Sequence, residues 1–194
     1  MDLIFATHNK GKLKEVQMLV PEGITVISLD DLGVTEEIEE TGSTLQENAL
    51  IKARFLFSRY KSPVLADDTG LEVAGLDGAP GVYSARYAGE PSNSEHNMDL
   101  LLRNMQGFEN RNARFRTVIA YINKEGEEIL FEGIVEGAIL LARQGAEGFG
   151  YDPIFKPLSS DLSFAQMPLA EKNAISHRGR ALKKFGDYIN TTNQ

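Results

Sequence analysis

The sequence predicts a mixed α/β fold organised as one folding unit. Three observations carry that prediction. Apolar runs of strand length alternate irregularly with amphipathic helical stretches. Two strand-like runs, Ala113–Asn123 and Glu127–Ile134, flank Lys124-Glu125-Gly126, the pattern of an antiparallel hairpin. No internal repeat, low-complexity tract or linker divides the 194 residues, a length that one domain can fill. An antiparallel pair among alternating strands and helices favours a mixed sheet over a strictly parallel, doubly wound one.

The elements follow in chain order. Leu3–Ala6 reads as a buried strand that feeds a polar turn and a helix from about Gly11 to Val20, where Leu13, Val16 and Val20 recur at helical spacing. Ile24–Leu29 is a second strand, and Glu36–Thr41 an acidic loop or edge strand. Ser43–Tyr60 is the best-marked helix. Ser43 and Gln46 have the spacing of a capping box, and Leu45, Ala49, Ala53 and Leu56 form the apolar stripe. Asn48 and Lys52 share another face at i, i+4. Pro63–Ala66 and Leu71–Ala74 read as strands on either side of Asp67-Asp68-Thr69-Gly70. Ser94–Met105 is a helix, the hairpin follows, and after a glycine-rich turn a last helix starts near Ser176, its expected N-cap.

Composition narrows the function classes. Hydrophobic residues make up 42% and charged residues 25%, the balance of an ordinary globular chain. The net charge of −8 argues against a surface made for nucleic acid or anionic membrane. The absence of cysteine excludes disulfides, thiolate catalysis and Cys-based zinc sites. No stretch approaches the ~20 apolar residues of a membrane span, and the N-terminus lacks the basic lead of a secretory signal. The expectation is a cytoplasmic enzyme-sized domain.

Five patches could carry chemistry. Ala6–Lys12 joins a strand to a helix, and amides at a helix start suit phosphate, with Lys10 and Lys12 adding charge. The pattern is no P-loop, because Leu13 stands where a magnesium-binding Ser or Thr belongs, and a plain polar connection explains it equally. Glu36, Glu37, Glu39 and Glu40 read as a solvated face, one member of which could join the Asp pair around a hard cation. Asp67-Asp68-Thr69-Gly70 is composed of turn formers, yet the apolar runs on both sides place the pair at the edge of a core. There a carboxylate could bind metal or activate water.

In Gly148–Phe155, glycines around Phe149 permit close backbone approach, and Phe149 or Tyr151 could stack on a base. The same rings could instead anchor a loop in the core. Around Ser176 gather Lys172, His177, Arg178 and Arg180. Three of these four lie at or before a helix start, where cations are unfavourable without an acceptor-rich partner. Together they offer a recognition edge of several donors.

The conjunction of "THNKGK", "EETG", "ENALIKA", "ADDTGL", "GAPGVYSARYAG", "GFGYDPIF" and "EKNAISHRG", in this order from Thr7 to Arg180, resembles the inosine triphosphate pyrophosphatase family, also called XTP/dITP diphosphatases. The resemblance implies an elongated α/β structure of two lobes around a long mixed β-sheet with flanking helices. It places the active-site cleft between the lobes, within one domain spanning residues 1–194. It implies hydrolysis of ITP, dITP and XTP to monophosphate and pyrophosphate with Mg²⁺ as cofactor, so that deaminated purines stay out of DNA and RNA. It also implies a homodimer, with no nucleic-acid or membrane partner. Pyrophosphatases of another nucleotide and nucleotide sensors without turnover are the competing classes.

Carried over to this chain, the resemblance gives Asp68 as proton acceptor and, with Glu39, as metal ligand. Thr7, His8, Asn9, Lys10, Gly11 and Lys12 would hold the triphosphate, with Lys52 facing phosphate and Thr69 contacting substrate. Position 8 is often glycine in the family. Phe149, Gly150, Tyr151, Asp152, Lys172, His177 and Arg178 would contact the nucleoside and base. Asp67 is expected to point away from the substrate, because successive side chains of a strand face opposite sides.

Overall fold

The computed structural model describes residues 1–192. Asp2–Phe5 (β1), Thr25–Ile27 (β2), Val64–Val73 (β3), Pro80–Gly81 (β4), Asn112–Ile122 (β5), Glu128–Ile139 (β6) and Phe155–Pro157 (β7) form a sheet in the order β2-β1-β3-β5-β6-β7, with β4 paired to β3. β1 runs parallel to β2 and β3, whereas β4 and β7 run antiparallel to β3 and β6. The sheet is mixed, as the alternation of elements requires. The helices are Lys10–Leu19 (α1), Leu45–Tyr60 (α2), Ser94–Asn104 (α3), Leu169–Ile175 (α4) and His177–Thr192 (α5).

Contacts divide the chain into two compact units. The first comprises Met1–Asp68, Thr117–Gly133 and the chain from Arg178; the second comprises Thr69–Arg116 and Ile134–His177. Neither is a continuous length of sequence, since the chain passes between them within β3, β5 and β6 and again at the start of α5.

The first unit's core joins Leu3, Phe5, Leu65, Ile119, Tyr121 and Phe131 of the strands to Val16 of α1 and Ala181, Leu182, Phe185 and Ile189 of α5. The α5 residues recur at helical spacing, so one face of that helix is buried. Phe185 is fully buried and meets Tyr121 and Phe131 edge-on. The second unit's core includes Leu71, Val73, Met98, Leu101, Phe115, Tyr151, Phe155 and Phe164. Each such side chain contributes about 1.5–3 kcal/mol through burial.

Several local expectations change. The Asp pair lies inside one ten-residue strand, β3, and not in a turn between two strands. A strand tolerates two consecutive carboxylates only if both receive partners, and here both do. The capping box of α2 is Thr44 with Glu47, one residue later than Ser43 with Gln46. Glu47 N donates to Thr44 Oγ1 at 3.1 Å, while Glu47 Oε2 accepts from the amides of Ser43 and Thr44. The hairpin strands run from Asn112 and reach Ile139, longer than the apolar pattern indicates. Its turn is held by Asn123, whose Oδ1 accepts from the amides of Glu125 and Glu127. The last helix starts at His177, beside Ser176 as expected, but a further helix, α4, precedes it, closed by the Ser176 amide donating to Lys172 O at 2.8 Å.

Candidate active site

The first unit concentrates charge at the carboxyl end of β1 and along β3. After β1 the chain turns through Thr7–Asn9 into α1. Asn9 is the N-cap: Lys12 N donates to its Oδ1 at 3.0 Å, and Asn9 N donates to Thr7 Oγ1 at 3.1 Å. These bonds fix the turn and orient Lys12 along the first turn of the helix. His8, Asn9 and Lys10 are exposed, whereas Thr7, Gly11 and Lys12 are partly buried. His8 Nε2 lies 3.1 Å from Glu36 O, so the ring bridges this turn to the acidic loop.

Asp67 and Asp68 differ sharply. Asp67 is 1% exposed: Lys12 Nζ donates to its Oδ1 at 3.1 Å, and Arg178 donates to its Oδ2 from Nε at 3.1 Å and Nη2 at 2.9 Å. Burial alone would raise its carboxyl, but Lys12, Arg178 and Lys52 hold it far below the usual range. Asp68 accepts at Oδ2 from Asn48 Nδ2 at 3.1 Å. Burial pushes the Asp68 carboxyl up, Lys52 and Lys12 counter this only in part, and Glu40 adds to the rise. One strand thus carries a carboxylate of lowered proton affinity beside one of raised proton affinity.

The i, i+4 face of α2 supplies the partners. Asn48 and Lys52 are both buried, and Lys52 Nζ donates to Asp67 O at 2.7 Å and to Glu40. Burial lowers the proton affinity of Lys52, but Asp68, Glu40 and Asp67 outweigh it, so it stays charged. Burial lowers that of Lys12, with Asp67 opposing. Glu39 is exposed, and it is Glu40 that reaches the lysine. Glu40, Asn48 and Glu15 join the cluster without having been singled out as site residues. The pairing of Asn48 with Lys52 was legible as a shared face, and Glu15 lies three residues from Lys12. That a glutamate beside Val16 would be 1% exposed had no sequence signal.

Among the described residues no group of three or more His, Cys, Asp or Glu is arranged to hold a metal. The candidate carboxylates are Asp68 on β3 and Glu39 and Glu40 in the segment before α2. One or two carboxylates completed by substrate phosphate is the donor set typical of Mg²⁺, so the residues fit that ion.

The second unit contains an aromatic and cationic cluster. Asp152 is 3% exposed, and its Oδ2 accepts from Phe149 N at 3.0 Å and Lys172 Nζ at 2.6 Å. Lys172 Nζ also lies 4.7 Å from the centroid of Phe149 and 5.6 Å from that of Phe164. Gly148 has φ +75°, and a Cβ there would meet Asp152 Oδ2 at 2.1 Å. The close approach that requires this glycine is made by Asp152 itself. Phe149 and Gly150 are partly exposed, whereas Tyr151 is buried and its hydroxyl donates to Ser84 O at 2.7 Å. Of the two candidate stacking rings, Tyr151 therefore belongs to the core. His177 is 3% exposed, its ring stacked on Phe115 at 4.6 Å and 15°. Thr69 is partly exposed. Arg178 is 1% exposed, with its guanidinium on Asp67 and Glu15.

The Ham1 family model matches residues 3–188. The chain is 52% identical to the dITP/XTP pyrophosphatase of Christiangramia forsetii, covering 97% of this chain and 99% of that one. It is 47% identical to the dITP/XTP pyrophosphatase of Flavobacterium johnsoniae, covering 99% and 100%. The solved structure of the Staphylococcus aureus Ham1 protein matches with a TM-score of 0.89 at 37% identity, covering 99% of this chain and 100% of that one.

Proposed function

The chain belongs to the Ham1 family, and from that premise we propose that it hydrolyses deaminated purine nucleoside triphosphates, ITP, dITP and XTP, to the monophosphate and pyrophosphate. The observation that carries this reading is the buried Asp68 carboxylate, of raised proton affinity, set among Asn48, Lys52 and Lys12. A carboxylate that binds a proton more readily than usual is suited to take one from water, and nearby ammonium groups suit an anionic transition state.

In the proposed reaction, Asp68 accepts a proton as water attacks the α-phosphorus. The bond from that phosphorus to the bridging oxygen breaks, and pyrophosphate leaves with the electron pair. The amides and side chains of Thr7, His8, Asn9, Lys10, Gly11 and Lys12 hold the phosphates, and Lys52 supplies further positive charge. Mg²⁺, held by Asp68 and Glu39, would neutralise phosphate oxygens and the charge on the leaving group. Glu40, bound to Lys52, would keep that lysine oriented.

Phe149 offers a face for the base, and Lys172, Asp152, His177 and nearby amides offer the polar contacts. Hypoxanthine and xanthine present a 6-oxo acceptor where adenine presents an amino donor. Donors in a desolvated site accept the former and leave the latter mispaired. The residues assigned to phosphate lie in the first unit, and those assigned to the base lie in the second. The enzyme would act in the cytoplasm as a homodimer. No described helix is long and apolar enough to cross a membrane.

The decisive experiment incubates the protein and Mg²⁺ with ITP, dITP, XTP, ATP, GTP and dTTP, and quantifies monophosphate and pyrophosphate. Preferential cleavage of the deaminated purines, abolished by EDTA, is expected. Equal rates on all six, or release of orthophosphate, would overturn the reading.

A further inference from the structure

The first unit holds a cavity of about 750 Å³ that the proposed reaction does not use. It lies at the amino ends of β1 and β3, beside Asp2 and Ser62-Pro63. The hairpin turn and the last turns of α5 complete its wall. The Thr7–Lys12 turn leaves the opposite end of β1.

Two features of the lining point to a ligand. The first is Tyr121, which is 4% exposed, its ring set edge-on to Phe185 and Tyr188. A buried phenol usually finds a hydrogen-bond partner. The Tyr121 hydroxyl bonds to no described residue, and the side chain lines the cavity. Burial, Tyr188 and Glu125 raise its proton affinity, so at pH 7 it is neutral and offers its lone pairs.

The second feature is charge. Asp2, Glu125 and Glu127 line the same cavity. Lys124 lies 3.6 Å from Glu125, and the Met1 amine donates to Gly23 O at 2.6 Å. Glu127 accepts from Asn123 Nδ2 at 2.8 Å, and neither it nor Asp2 forms an ion pair among the described residues. The rings of Tyr121 and Tyr188 add the negative faces that attract cations. No three carboxylates among the described residues are gathered closely enough to hold a metal. Acceptors spread over two elements, the start of β1 and the hairpin turn, suit an extended cation with more than one ammonium group.

We propose that this cavity binds an alkyl diamine or polyamine, one ammonium group donating to the Tyr121 hydroxyl and Glu125 while the methylene chain lies along Tyr188. A volume of this size accommodates such a chain. The site uses none of the groups assigned to the nucleotide, so it stands apart from the pyrophosphatase reading.

Calorimetric titration of the full chain with putrescine and spermidine, without nucleotide or Mg²⁺, tests this. One-site saturable binding is expected. Tetramethylammonium, which has no N–H donor, should bind about tenfold more weakly or worse. Tyr121→Phe keeps the ring and the net charge and should weaken spermidine binding by about tenfold. General attraction to an acidic protein would not respond to that substitution. Glu125→Gln, on the exposed turn, should weaken binding by about 2- to 5-fold, and it serves as the probe if Tyr121→Phe does not fold by circular dichroism. Asp99→Asn removes the same charge in the second unit and should change affinity less than about twofold. No saturable binding below about 10 mM would overturn the proposal, as would equal affinity for tetramethylammonium. Affinity unmoved by both Tyr121→Phe and Glu125→Gln would overturn it too. Nα-acetyl-lysine amide carries a single ammonium group and should bind more weakly than spermidine; tighter binding would assign the cavity to a protein partner instead.

Discussion

Asp67 and Asp68 are neighbours in β3, yet Asp67 is bound by Lys12 and Arg178 whereas Asp68 is bound by Asn48. The pleat sends the two side chains to opposite faces, and the elements on each face supply different partners. One carboxyl is held below its ordinary proton affinity and the other is raised above it.

Asp68→Asn keeps the shape and the hydrogen bond with Asn48 but removes the base. Turnover of ITP is expected to fall by about 10²–10⁴-fold with less than about tenfold change in nucleotide affinity. Single-turnover kinetics with an independent binding titration check this. A variant retaining a tenth of wild-type turnover would exclude Asp68 as the proton acceptor.

Asp67→Asn should behave differently, because it leaves Lys12 and Arg178 buried with one counter-anion fewer. A loss of about 3–5 kcal/mol in unfolding free energy at pH 7 is expected. The folded carboxyl lies below its unfolded value, so its contribution is complete above about pH 4 and is lost as the pH falls further. Urea titrations at pH 7, 5 and 3 should show the gap between wild type and variant narrowing at the acid end. A constant gap would contradict the ionised pairing.

The pair Lys172–Asp152 mixes stability with recognition. Lys172→Ala strands a buried carboxylate and should destabilise the protein by several kcal/mol. The double variant Lys172→Met with Asp152→Asn should recover most of that stability without recovering ITP affinity. Recovery of both would assign the pair to folding alone.

Phe149 and Tyr151 separate by burial. Phe149→Ala is expected to weaken ITP binding by about 1–3 kcal/mol with little change in stability. Tyr151→Phe removes the bond to Ser84 O and should lower stability by about 0.5–1.5 kcal/mol while ITP affinity holds. Calorimetric titration and urea midpoints would distinguish them, and the reverse pattern would assign the stacking ring to Tyr151.

Thr44→Ala should lower stability by about 1 kcal/mol through loss of the α2 cap, and Ser43→Ala by much less. Equal effects would mean that the helix begins one residue earlier.

Much of this was legible in the residues. Apolar periodicity located β1, α1, α2 and the hairpin, because one-dimensional spacing reports which face of an element is buried. Spacing alone places the α2 cap one residue early, because Ser43 and Thr44 are both good caps with an acceptor near the right distance, and only the geometry of Glu47 chooses between them. Residue type alone breaks the strand through Asp67 and Asp68 into two, because carboxylates and a glycine are usually turn residues.

The mixed α/β class, the family, and the charged, aromatic and glycine-rich segments can be read from the residues alone, since these depend on residue type and order. How those groups pair is settled by three-dimensional packing. It joined Lys12 and Glu15 of α1 to Asp67 of β3 and Arg178 of α5, residues up to 163 apart in sequence. It turned Glu40 to Lys52 while leaving Glu39 exposed, and it assigned Tyr151 to the core. Such choices depend on desolvation and on which partner a buried charge can reach, and both are set by packing between elements.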